Sequence, residues 1–133
     1  MTTSPSLEDL AFAAIRSGRV FARAWGDAGL DNRGAPHSLS SAACDRLAAG
    51  QLLRARDFDV VAVMGETLRR ALNAERPGYG DHALREDTRY EAPLWEPRLE
   101  ELRRLAEAYK HFRDCLTCYA DRTTAEREAL RAL

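Results

Sequence analysis

Apolar residues recur along this chain at helical rather than strand spacing. Leu7, Leu10, Ala11, Ala14, Ile15, Gly18, Phe21 and Trp25 gather on one side of a wheel that turns about 100° per residue. Ser4-Pro5, or Ser6 with Asp9 three residues on, supplies the start of this helix, and Gly26 and Gly29 its end. Residues 26–37 are rich in glycine and turn formers and are expected to be a linker. A second helix is expected to open at Ser38, Ser40 or Ser41 and run through about Arg56. Cys44 lies in its first turns among alanines, where a small buried packer is expected.

The stretch from Asp57 fits two patterns. FDVVAVM followed by a helical tail has the form of a buried parallel strand entering a helix. No second convincing strand is present to pair with it, so a helix capped by Asp57 is the better fit, with Val61, Met64, Leu68, Ala71 and Leu72 on one face. From Arg76 to about Pro93 the chain is polar and broken, and it carries Tyr79, Asp81, His82 and Tyr90, with Trp95 close behind. A connection of this length inside a compact domain is either functional or loosely ordered. Tyrosine and tryptophan are favoured interface anchors, which makes Tyr79, Tyr90 and Trp95 candidate partner contacts. The plainer alternative is a crossover whose aromatics tuck into the ends of a bundle.

The strongest helical pattern follows. Glu96-Pro97 opens it, because proline at the first helical position gives up no needed hydrogen bond. Leu102, Leu105, Tyr109, Phe112, Leu116 and Ala120 form a broad stripe, edged by Leu99 and Ala106 on one side and Tyr119 on the other. A stripe this wide is expected to bury against more than one neighbour, as in a bundle. After Asp121, Thr123-x-x-Glu126 matches a capping box, so a fresh short helix through Leu133 is expected. The whole adds up to an all-α fold, an irregular bundle of four to five helices in a single domain of 133 residues.

Composition narrows the function classes. Hydrophobic content of 45% and charged content of 31% fit a globular chain, and the net charge of −1 gives no overall pull toward nucleic acid or acidic membranes. Lys110 is the only lysine among 20 basic residues, a bias typical of a GC-rich genome, so arginine-richness alone does not signal phosphate recognition. Three cysteines, an odd number, and the lack of a secretory leader point to a reducing cytoplasm. No apolar run approaches the eighteen or so residues of a membrane span, so no membrane contact is expected.

The chemistry-bearing residues collect on the far side of the strongest helix, where Glu107, His111, Cys115 and Cys118 fall on the charged face. A Cys115–Cys118 disulfide requires the helix to break, since Cβ atoms three apart on a helix stand about 5–6 Å apart and a disulfide needs about 3.5–4.5 Å. A zinc site is a further possibility for His111, Cys115 and Cys118, although His111 and Cys118 are about 10 Å apart along the axis. A reactive Cys115 with His111 as base and Glu107 behind it is the third. Its place late in the helix works against it, because the dipole there disfavours a thiolate. The plain alternative is a pair of reduced thiols, packed or exposed.

Arg16, Arg19 and Arg23 share the reverse face of the first helix, where the choice is between an anionic contact and a solvated charged surface. Walker, dinucleotide, nucleophile-elbow, HExxH and calcium-loop motifs are all missing, which lowers the expectation of catalysis. The first expectation is therefore a non-catalytic helical module without a cofactor. It acts by self-association or as a small subunit of a larger bacterial assembly, with a protein as its partner. A thiol-redox or metal-binding protein built on the CxxC is one alternative. An RNA-contacting subunit using the arginine face is the other.

Overall fold

The computed structural model describes residues 5–30, 40–85 and 97–132, and every regular element among them is a helix. In chain order these are α1 (Leu7–Asp27), α2 (Ser41–Ala48), α3 (Ala55–Glu75), α4 (Tyr79–Ala83) and α5 (Pro97–Arg131). The all-α expectation holds, and FDVVAVM lies inside α3. Helix α5 is the spine: at about 1.5 Å per residue its 35 residues span about 52 Å, and α1 and α3 both lie along it.

Helix α1 begins as its sequence specifies. The Ser6 hydroxyl accepts from the Asp9 backbone N–H at 3.1 Å, and the Asp9 carboxylate accepts from the Ser6 N–H at 3.3 Å, so two of the helix's orphan donors are satisfied reciprocally. The stripe then faces α5. Phe21 is fully buried, and its ring meets Trp25 edge-on at 5.7 Å, Tyr109 at 5.4 Å and Phe112 in a stack at 5.9 Å. Helix α3 closes on the other side of Tyr109, and Gly65 makes room for it. A Cβ at position 65 would stand 2.3 Å from the Tyr109 hydroxyl oxygen, so only glycine admits the ring at this depth. Burial raises the pKa of both the Tyr109 and the Tyr119 phenols above the ordinary tyrosine value.

Three expected boundaries are corrected. The second helix does not reach Arg56; it ends at Ala48, and Gly50 takes φ +69°, a left-handed turn that ordinary residues resist. Residues 51–54 then follow without regular structure, tied to α5 by the Tyr119 hydroxyl donating to the Gln51 carbonyl at 2.6 Å. Asp57 is not the residue that opens α3 but the third residue of its first turn. There it accepts from the Arg54 backbone N–H at 2.9 Å and from the Arg46 guanidinium at 2.8 Å on both oxygens. The Arg46–Asp57 pair is largely buried and pins α2 to the start of α3.

The third correction concerns the C-terminal end. No fresh helix starts at Thr123; α5 continues to Arg131. The Thr123 hydroxyl is buried and donates back to the Tyr119 and Ala120 carbonyls at 3.0 Å, a bond that competes with capping. Arg122 also spans the supposed break, pairing with Glu126 at 3.0 Å. Beyond Thr123 the described residues of α5 are all exposed.

The polar stretch after Arg76 is not wholly irregular. Helix α4 forms there and packs on α3, with Gly80 N–H donating to the Asn73 side chain at 2.7 Å. Asp81 accepts from Arg69 at 2.9 Å, and Arg69 and Arg70 both pair with Glu66. The hydrogen bond from Arg69, with its charge, holds the Glu66 carboxyl down at about 2. Its unfolded value is the higher of the two, so the stabilisation from Glu66 is complete above about pH 4.5 and is lost as pH falls toward about 2. Because the cluster is exposed, the effect is modest. Thermal midpoints measured down this acid window are expected to fall less steeply for Glu66→Gln than for the native chain. Parallel slopes would show that the pair contributes nothing.

Candidate interaction surface

The outer face of α1 carries the surface best formed for contact. Phe12, Arg16, Arg19 and Arg23 follow one another at four-, three- and four-residue steps, so they form a single ridge pointing away from α5. Phe12 is 65% exposed, and Val20 beside the ridge is 56% exposed. Scattered apolar residues are ordinary on a surface, but Phe12 is not isolated. It stands on the rim of a groove of about 450 Å³ between the first half of α1 and the end of α2, lined by Leu7, Glu8, Ala11, Phe12, Ile15, Leu47, Ala48, Ala49 and Gly50.

The groove follows from local structure. Helix α2 ends early at Ala48, the left-handed turn at Gly50 lies against Leu7 of α1 and closes one end, and small side chains at Ala11, Ala48 and Ala49 leave the space open. The three arginines of the ridge have no ion pair among the described residues, whereas Arg46, Arg69, Arg98, Arg103 and Arg122 are each paired with a carboxylate. The acids of the same helix stand at its two ends, Glu8, on the groove, and Asp9 in the first turn and Asp27 in the last.

The other expected site residues are placed differently. Tyr79 is buried in α4 with Arg76 over its ring at 6.0 Å, so it serves the core and not an exposed contact. Tyr90 and Trp95 lie outside the described residues. On α5, His111 Nε2 stands 3.8 Å from Cys115 Sγ, but Cys115 is half-buried at the edge of the core while Cys118 is exposed. The expectation that both sulfurs turn away from the apolar side therefore holds only for Cys118. Glu107 is exposed and makes no hydrogen bond to His111 among the described residues, which leaves the supposed acid–base–thiol relay without its third member. No group of three His, Cys, Asp or Glu among the described residues is placed to share a metal ion.

Sequence reasoning located the arginine face but missed Phe12, Val20 and the groove. A signal was present: Phe12 and Val20 are the two large apolar residues of α1 that fall off its buried stripe. No described helix is long and apolar enough to cross a membrane. Set against protein-family models, curated proteins and solved structures, the chain finds no match, so no relative supplies a role for any of these residues.

Proposed function

We propose that this protein is a non-catalytic helical interaction module, working by self-association or as a small subunit of a larger assembly. The observation that carries the proposal is the continuity of exposed Phe12 with an apolar groove, beside three arginines without ion pairs among the described residues. Interfaces draw on aromatic residues and arginine and place them around concave apolar ground. A second exposed feature, Leu130 at 70% exposure on the free end of α5, adds another apolar contact point. The CxxC carries less, since His111, Cys115 and Cys118 do not converge on one point.

Sedimentation of the purified chain over a range of concentrations, together with quantitative affinity capture from the source cells, tests the proposal. Either a concentration-dependent oligomer or a stoichiometric companion is expected. A chain that stays monomeric throughout, and enriches nothing beyond what an unrelated helical bundle enriches, ends it.

A further inference from the structure

We infer that the α1–α2 groove and its arginine ridge form a docking site for an acidic amphipathic helix supplied by another protein. This inference rests on the interaction reading above and specifies its partner.

The groove is apolar, its side-chain lining largely aliphatic and alanine, with Phe12 on the rim; it therefore calls for apolar side chains to fill it. The ridge beyond it calls for negative charge, because Arg16, Arg19 and Arg23 stand in solvent and form no ion pair among the described residues. Both demands lie along one helix axis. From Leu7 to Arg23 is about 24 Å, the length of a partner helix of about 16 residues. Such a helix places aliphatic residues in the groove at one end and carboxylates along the arginines at the other. Glu8 and Asp27 bracket the ridge and repel acids set beyond its ends, which fixes the register of the charges.

Nucleic acid suits the ridge but not the groove. Single strands need successive aromatic platforms for stacking, and this surface has Phe12 alone. A second copy of the chain suits neither demand together. Its exposed valines, Val60 and Val63 on α3, have Asp59 beside them, but the next acid on that face, Glu66, is already paired with Arg69 and Arg70, and the exposed acids Glu107, Asp114 and Asp121 lie on a face of α5 without a large exposed apolar side chain.

The test uses the full chain and a fluorescent peptide of about 16 residues, with leucines at i, i+3, i+4 and i+7 and glutamates on the flank. Binding is read by anisotropy. Controls are a scrambled peptide of the same composition, a lysine-for-glutamate peptide and an oligouridine RNA. The native chain is expected to bind the acidic helix at least about tenfold more tightly than the scrambled or lysine peptides. Reversal of the ridge (Arg16→Glu, Arg19→Glu, Arg23→Glu) is expected to invert that preference toward the lysine peptide. Ala48→Arg, an exposed rim position that blocks the groove, is expected to weaken both. Unchanged thermal midpoints establish that the variants are folded; if the triple reversal unfolds, Ala48→Arg and Phe12→Ala decide alone. Equal binding of the scrambled peptide, no peptide binding, or binding of RNA in its place overturns the inference. So does relief of self-association by the ridge variants. A chain that oligomerises or captures a companion independently of this face would sink the inference and leave the interaction reading standing.

Discussion

Replacing Phe21 with alanine is expected to destabilise the fold by about 3–5 kcal/mol, the range for removing a fully buried aromatic ring from a close-packed core. The ring is where α1 meets α5: it touches Trp25 on its own helix and both Tyr109 and Phe112 on the other. Its loss leaves a cavity that three aromatic neighbours, each held by its own contacts, are poorly placed to fill. For a domain with a total stability of about 5–15 kcal/mol, that is a large share. Urea unfolding should show a lower midpoint with an unchanged slope. Phe21→Leu, which keeps most of the volume, should lose only about 1–1.5 kcal/mol. A loss below about 1 kcal/mol for the alanine variant would mean that α1 is not seated on α5 as described.

The second large effect comes from charge. Asp57→Ala is expected to destabilise by about 3–5 kcal/mol, because it strands the largely buried Arg46 guanidinium and removes the acceptor of the Arg54 N–H. A buried ion pair contributes little when compared with a well-packed apolar pair, since desolvation offsets most of its attraction; breaking one half is what hurts. The double variant Arg46→Met, Asp57→Leu should therefore recover much of the loss. The comparison separates the two contributions. If Asp57→Ala alone is tolerated, the α2–α3 junction does not depend on the pair. If the double variant is as poor as the single one, the Arg54 cap carries the effect.

Much of this architecture could be read from the chain because helix formation is written locally. The α1 stripe, its Ser6–Asp9 start and the α5 stripe depend on residues three and four apart, and all three appear where the pattern placed them. The same holds for the α3 face of Val61, Met64, Leu68 and Leu72, all buried. The arginine ridge was equally legible, since a helix that buries one side must expose the other.

What failed did so for one physical reason: the same local signal is satisfied in more than one way, and distant neighbours choose between them. Thr123 with Glu126 spells a helix start, yet Thr123 lies buried and turns its hydroxyl back on α5, and the helix runs on. Asp57 looks like the residue before the helix, yet it sits at the third helical position, where its carboxylate both accepts from the Arg54 N–H and pairs with Arg46, eleven residues earlier. Cys115 and Cys118 share one face on paper, but packing covers the first and leaves the second in solvent.

The candidate site divides along the same line. Its charges and its exposed phenylalanine belong to α1 alone and were determined by sequence. The groove exists only because α2 stops early and α1 lies alongside it, a relation between segments some forty residues apart that no local periodicity encodes. Local hydrogen bonding settles where a helix runs; only the packing of one helix on another settles where space is left between them.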